Sequence, residues 1–402
     1  MSPQPLDDRA YDLVLFGATG FTGALTAEYL AQHVPDGCRW ALAGRNRAKL
    51  EAVRERLTAL DPALADLPLL HADAHDDASL RAVAEQTRVV VTTVGPYVEH
   101  GAGLVAACAE AGTDYADLTG EPEFVDTMYL RHHQRAVETG ARIVHACGFD
   151  SIPHDLGALF TVKQLPEGVP ITMTGMLRAS GMISGGTFAS ALNAFSRAGQ
   201  MKRALAERRK VEPRPHVEAG RRVRTVAKRP HRDPDTGQWL VPLPTIDPFV
   251  VKRSAIALDR YGPDFSYAHY AAVKRLPTVV GGVGAVGLLA AAALGLGLTK
   301  LPVAVGPLLN RLPQGSGPSE EKRARSRFSM RFLAEGGGQT VRTEVAGGDP
   351  GYTETAKMLG EAALSLAFDD NPETAGQVTT AVAMGDRLTE RLIAAGLRFR
   401  VM

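Results

Sequence analysis

Cysteine is scarce: Cys38, Cys108 and Cys147 are the only three in 402 residues, and none stands in a Cys-x-x-Cys pair. An odd, scattered set supports neither a disulfide framework nor a zinc site, and it suits a reducing compartment. An excess of charge of one sign is lacking too. With 45 Lys and Arg against 44 Asp and Glu, the chain has no global pull toward nucleic acid. The opening MSPQPLDDRA has no basic head followed by an apolar run, so no secretory signal is read and a cytoplasmic location is expected. No internal repeat is visible. What remains is ordinary globular composition, 45% apolar and 22% charged, in a chain long enough for two domains.

Short apolar runs alternate with helical stretches through residues 1–150. Tyr11–Phe16, Arg39–Ala43, Leu67–Ala72, Val89–Thr93, Asp114–Asp117 and Arg142–Ala146 read as strands, and Arg47–Leu60 and Gly103–Gly112 as helices. This rhythm predicts an α/β fold, a doubly wound parallel sheet of Rossmann type whose strand carboxyl ends line one edge. From residue 151 to 348 the rhythm changes. Ser151–Gln164 reads as a helix with Ser151 as its cap, followed by strands at Ile171–Arg178, Val250–Leu258, Arg327–Leu333 and Thr340–Val345. These predict a second, α+β domain with a mostly antiparallel sheet. Leu312–Lys322 reads as a loop returning to it.

Two insertions interrupt the second domain. Residues 202–232 are crowded with Lys and Arg, broken by prolines, and read as a mobile or surface segment. Their charge could attract anionic lipid headgroups, or the phosphate of an acyl carrier or coenzyme A thioester; a solvated loop is the alternative. Residues 279–299 carry no charge and are long enough to span a bilayer, although six glycines weaken the helix. This stretch is a candidate peripheral membrane contact, with a buried core helix as the alternative.

The strongest motif follows the first strand: Gly17, Ala18, Thr19, Gly20, Phe21, Thr22 and Gly23, then the helical run Ala24–Gln32. Gly17 permits a tight turn, Gly20 admits a diphosphate against the backbone, and Gly23 lets helix and strand pack closely. At the end of the second strand, where a carboxylate would bind the ribose of NAD, stand Gly44, Arg45 and Asn46. Arg45 suits a 2′-phosphate, so NADPH is the expected cofactor. Asp73, after the third strand, and Thr93, Val94, Gly95 and Pro96, at the end of the fourth, complete the cofactor-binding candidates.

Taken together, LVLFGATGFTG, ALAGRN, TTVGPYVEHG, GTDYADLTGE, IVHACGFDSIPHDLG, GGDPGYTETAKML and AVAMGDRLTERL resemble the saccharopine-dehydrogenase-like oxidoreductases. The resemblance is specifically to the branch holding the trans-acting enoyl reductases of actinobacterial lipid synthesis, and it spans nearly the whole chain. It implies that residues 349–402 supply helices packing back on the Rossmann domain. It also implies NADPH-dependent reduction of a double bond in a polyketide-derived lipid, in glycolipid synthesis at the inner face of the plasma membrane. True saccharopine reductases carry Gly-x-Asp-Pro-Gly where this chain has Gly148-Phe149-Asp150-Ser151-Ile152-Pro153, a departure that argues against an amino-acid substrate. A saccharopine-type imine reductase and a non-catalytic NADP-binding, lipid-associated protein are the alternatives.

Enoyl reduction needs a hydride on one alkene carbon, a proton on the other, and a donor for the charge that develops between them. Tyr97, His100, Ser151 and His154 are the candidate donors, with Asp150 placed to orient one of them or to bind substrate; Asp150 and Ser151 also read as helix caps. Asp117, Thr119 and Glu121 are further candidates for the same cleft, and Ser184–Thr187 for an anion or carbonyl. Tyr270 and Lys274 match a Tyr-x-x-x-Lys pair, but far outside the nucleotide domain where such a pair works. His71, His75, His132 and His133 lack partners at ligand spacing, so no metal is expected.

Overall fold

The computed structural model describes residues 8–180, 197–227, 229–243, 245–274 and 317–402. The chain forms two compact units: the described parts of Met1–Phe149, Gly199–Val211 and Tyr352–Ala395, and those of Asp150–Ala198, Glu212–Gly351 and Gly396–Met402. The candidate membrane segment 279–299 and the candidate Ser184–Thr187 lie outside the described residues. Among the described residues, no helix is long and apolar enough to cross a membrane.

The first unit alternates strand and helix: β1 (Tyr11–Phe16), α1 (Phe21–His33), β2 (Trp40–Gly44), α2 (Arg47–Leu60), β3 (Leu69–His71), α3 (Asp77–Glu85), β4 (Thr87–Thr92), α4 (Tyr97–His100), α5 (Ala102–Ala111), β5 (Asp114–Asp117), α6 (Pro122–Thr139) and β6 (Arg142–Val144). Their order in the sheet is β6-β5-β4-β1-β2-β3, all parallel. Leu13–Leu15 and Val89–Val91 are buried because helices cover both faces, which is why these strands read as unbroken apolar runs. Register pairs Phe16 with Ala43 and with Thr92, which brings the carboxyl ends of β1, β2 and β4 level. The β1–β4 neighbourhood is the point where strand order reverses, and there the Rossmann crevice opens.

The basic run is more structured than a mobile segment. It supplies α8 (Ala198–Val211), whose residues from Gly199 belong to the first unit, then α9 (Pro215–Glu218), β8 (Arg222–Thr225) and β9 (His231–Arg232). Arg208 is buried: its guanidinium stands 3.2 Å from Asp126 Oδ1 and stacks 3.8 Å from the centre of the Tyr129 ring, both on α6. Pairing with a buried carboxylate and an aromatic face takes this cation out of water, which composition alone could not reveal.

The second unit holds α7 (Ile152–Val162), β7 (Ile171–Ser180), β8 and β9, β10 (Trp239–Pro242), α10 (Asp247–Ala257), β11 (Asp264–Val273), α11 (Glu320–Arg325), β12 (Arg327–Gly336) and β13 (Gln339–Gly347). The expected strand at Val250–Leu258 is instead helix α10. Val250, Val251, Ser254 and Ala255 are its buried side, a helical spacing, and Pro248 occupies the first turn, where no amide is required. Part of the expected loop Leu312–Lys322 is likewise helical, entering α11 at Glu320. Strand order is β15-β13-β12-β7-β11-β10-β9, where β15 is Arg398–Val401, with β8 beside β11. The β7–β11 and β8–β11 pairs are parallel and the rest antiparallel.

The C-terminal part divides between the units. Helices α12 (Thr353–Phe368), α13 (Thr380–Ala383) and α14 (Gly385–Ala394) belong to the first, as does β14 (Gly376–Val378), which extends its sheet parallel to β6. Strand β15 (Arg398–Val401) pairs with β13 in the second.

Candidate active site

The glycine turn joins β1 to α1. Gly17 has φ +100°, a conformation that side chains resist, and its carbonyl accepts hydrogen bonds from Gly20 N at 3.1 Å and Thr93 Oγ1 at 3.1 Å. The closed turn brings α1 so near that a Cβ on Gly23 would overlap the Gly17 carbonyl oxygen and stand 2.7 Å from Thr93 Oγ1. Gly20 is different. A Cβ there would meet nothing closer than Gly17 O at 3.6 Å, so its surface is open. Ala18 is buried beneath the turn, Thr19 and Gly20 are exposed, and Phe21 and Thr22 are half-buried at the helix start. Phe21 is held edge-on by Tyr352, with ring centroids 4.9 Å apart.

The two following helices end differently at their starts. Asn46 Oδ1 accepts from Lys49 N to cap α2, and Asp76 caps α3 through Ala78 N and Ser79 N, whereas no side chain caps α1. An uncapped helix start beneath an open glycine is where an anion's oxygens can meet main-chain amides. Arg45 is exposed directly after β2 and Gly44 is half-buried there. Asp73 Oδ1 accepts from His75 N at 3.0 Å and so shapes the turn after β3.

The turn after β4 is braced from below. Val94 is half-buried, Gly95 is exposed, and the Gly95–Pro96 peptide is cis. Tyr97 is buried under this loop, donating its hydroxyl proton to Thr92 O at 3.0 Å and accepting from Leu118 N at 3.1 Å. Glu121 is also buried, and its carboxylate accepts from Tyr97 N and Val98 N. Thr119 in turn holds Glu121 N, and Asp117 holds Thr119 N. Asp117, Thr119 and Glu121 therefore form a buried chain of supports for the β4 turn. His100 is partly exposed, edge-on to His75 at 5.1 Å, with Nε2 3.9 Å from Glu99 Oε2.

In the second unit Ser151 and His154 are buried and Asp150 is half-buried. Ser151 occupies the N-cap position of α7, but its hydroxyl makes no capping bond; its Oγ lies 3.5 Å from Asp247 Oδ1. His154 Nδ1 stands 3.0 Å from the same oxygen. Burial alone would raise the Asp247 carboxyl, but His154, then His269, and the Thr245 hydroxyl hold it below the usual carboxylate range. Burial drives the His269 imidazole down to about 3, further than Asp247 can offset. The decoy Tyr270 is a buried residue of β11, remote in sequence from the glycine turn.

Residues 13–144 match the family model of the saccharopine dehydrogenase NADP-binding domain. A protein of Mycobacterium tuberculosis named as a trans-acting enoyl reductase is 41% identical over 97% of this chain and 97% of its own length. A trans-acting enoyl reductase of Mycobacterium bovis is 37% identical over 99% of this chain and 98% of its own. The chain belongs to the trans-acting enoyl reductase family. Saccharopine dehydrogenase of Saccharomyces cerevisiae, at 12% identity, shares the fold, with a TM-score of 0.57 over 97% of this chain and 99% of that one.

As a member of this family the chain is an NADP-dependent oxidoreductase, and NADPH is its cofactor. The turn fits that molecule: Gly17 and Gly23 close it, Gly20 leaves it open, and α1 starts without a side-chain cap. When bound, NADPH supplies a hydride.

Reading the sequence missed His145. It follows β6, and its Nδ1 lies 2.7 Å from Asp117 Oδ2, while Asp117 also accepts from Tyr115 Oη at 2.9 Å and Ala146 N at 3.0 Å. The adjacent Ala146 has φ 60°, unusual for a residue with a Cβ, so the network holds strained backbone at the strand's carboxyl end. The available signal was a histidine near the carboxyl end of a strand of the nucleotide sheet. It also missed Asp247 and His269, which meet His154 only through the fold.

Proposed function

We propose that this enzyme reduces a carbon–carbon double bond in a polyketide-derived lipid, presented free or as a carrier- or coenzyme A-linked chain, in glycolipid synthesis at the inner face of the plasma membrane. The observation that carries the reading is end-to-end likeness to trans-acting enoyl reductases, 41% identical over 97% of both chains. The likeness is not limited to the nucleotide domain but runs through the second unit as well, which supports the reading. The exposed cations Lys202, Arg203, Arg209 and Lys210 on α8 favour an anionic carrier phosphate or headgroup, and the uncharged stretch 279–299 favours a lipid surface.

The residues divide the work unevenly. Tyr97 spends its one proton on Thr92 O, which suits it to fixing the β4 turn rather than to giving a proton away. Ser151 and His154 are closed in, whereas His100 and Asp150 retain partial exposure. Proton delivery at the alkene is worth roughly 10²–10⁴-fold in rate, so a donor's removal is readable in turnover.

Lipid profiling of a strain lacking the gene, joined to NADPH oxidation by the purified protein on the accumulated material, tests the proposal. Accumulation of an unsaturated precursor that the protein then consumes is expected. An unchanged lipid profile, with no oxidation of NADPH on any unsaturated lipid, would overturn it.

A further inference from the structure

The geometry points to a divalent-cation site of the zinc class in the second unit, held by His154, Asp247 and His269. The three come from different elements, the first turn of α7, the first residue of α10 and the middle of β11, and their ligand atoms all lie within 4.8 Å of one another. They are almost entirely enclosed, with 1%, 3% and 5% of their surfaces exposed.

Spacing is the first argument. His154 Nδ1 stands 3.0 Å from Asp247 Oδ1 and His269 Nε2 stands 3.6 Å from Asp247 Oδ2. Donors bonded to one tetrahedral cation at about 2.0–2.2 Å lie roughly 3.3–3.6 Å from each other, so small movements of side chains would seat an ion among these three.

Hydrogen bonding alone does not account for the arrangement. At 3.6 Å the His269–Asp247 separation is too long for such a bond, and His269 Nε2 is a buried nitrogen without a hydrogen-bond partner among the described residues. Leaving a ring nitrogen so placed is unfavourable unless something fills the gap.

The surroundings are those of a ligand shell. The Tyr267 hydroxyl lies 3.1 Å from His269 Nδ1, which fixes the ring and directs Nε2 toward the carboxylate. The Thr245 hydroxyl donates to Asp247 Oδ2 and steadies the carboxylate in the same way. The Ser151 hydroxyl, 3.5 Å from Asp247 Oδ1, supports the carboxylate from its other oxygen. Two imidazoles and one carboxylate favour zinc, cobalt or nickel over magnesium or calcium, which prefer oxygen throughout. Enclosure of all three donors suits a cation that ties α7 to α10 and β11. This inference is independent of the substrate proposed above.

Metal analysis of the full-length protein, purified without chelator, should find about one equivalent of a transition metal. After chelation, titration with zinc chloride should raise Tm, and cobalt(II) chloride should give the intense visible absorption of a four-coordinate ion. Asp247→Asn and His269→Gln should each weaken zinc binding at least tenfold, and His154→Cys should retain cobalt while adding a thiolate charge-transfer band. No saturable zinc binding, an unmoved Tm and a cobalt spectrum identical to the aqueous ion in the wild-type protein would overturn the site. Binding that survives all three substitutions with an unchanged spectrum would overturn it equally, because the metal would then sit elsewhere.

Discussion

Gly20 and Gly23 are both glycines of one turn, yet alanine should harm them in different ways. Gly20 has φ −81° and ψ 166°, open to any residue, and its new Cβ would find no atom nearer than 3.6 Å. Losing glycine at a helix N-cap is unfavourable by about 0.5–1 kcal/mol. Restricting the unfolded chain returns about 0.4–1 kcal/mol, so the net change in stability for Gly20→Ala should be close to zero. The methyl group would nevertheless occupy the surface on which the diphosphate of NADPH is to rest. An affinity loss of at least tenfold, or about 1.4 kcal/mol, is expected. At Gly23 the added Cβ would collide with the Gly17 carbonyl oxygen and stand 2.7 Å from Thr93 Oγ1, and the backbone carbonyl cannot yield without moving the turn or α1. Overpacking of this kind is unfavourable by roughly 1–3 kcal/mol, so Gly23→Ala should lose stability as well as affinity. Thermal melting without ligand and fluorescence titration with NADPH separate the two effects. If Gly20→Ala binds NADPH as tightly as the parent, or melts as early as Gly23→Ala, the reasoning about this turn is wrong.

Arg45→Ala should weaken NADPH by roughly 10- to 100-fold while changing NADH little, since only the former carries the phosphate that a guanidinium would pair; equal weakening in paired titrations would remove Arg45 from that role. Arg208→Ala should lower unfolding free energy by about 3 kcal/mol, because the buried Asp126 would lose the Arg208 guanidinium, and a urea midpoint unchanged from the parent would contradict this. Glu344 gives a pH test. Burial pushes its carboxyl up, but hydrogen bonds from Ser329, Arg331 and Arg400 bring it down to about 2 from 4.5, so its stabilisation is complete above pH 4.5 and is lost as pH falls toward 2. With Arg400 half-exposed, screening limits the contribution to about 1–2 kcal/mol, and Glu344→Gln should flatten Tm against pH in that window; parallel curves for the two proteins would refute it.

The nucleotide sheet was legible because its physics is local. Strands such as the one holding Val89–Val91 are covered on both faces and stand out as apolar runs, and the glycine turn falls where the first such run gives way to helical spacing. Helix α10 was misread because Val250, Val251 and Ile256 favour strands by type, whereas tertiary burial on one side decided for helix. The basic run misled for a related reason: Arg208 and Arg221 look like solvated charges in a list of residues. In the fold, Arg208 enters a buried pair, while Arg221 donates to the carbonyls of Ala255 and Leu258 at the end of α10. The candidate site divides along the same line. Gly17, Gly20 and Gly23 announce themselves by spacing, but Asp117 finds His145 only through the parallel pairing of β5 with β6, and His154 meets Asp247 and His269 only through three separate elements.

The most direct measurement of the central claim is isotopic. The lipid accumulated in the absence of the enzyme would be incubated with purified protein and NADPH deuterated at the transferable position, and the product examined by mass spectrometry and NMR. One deuterium on one former alkene carbon and one solvent proton on its neighbour is the expected result. A product without deuterium, or deuterium found on a carbon that was never part of a carbon–carbon double bond, would contradict the account.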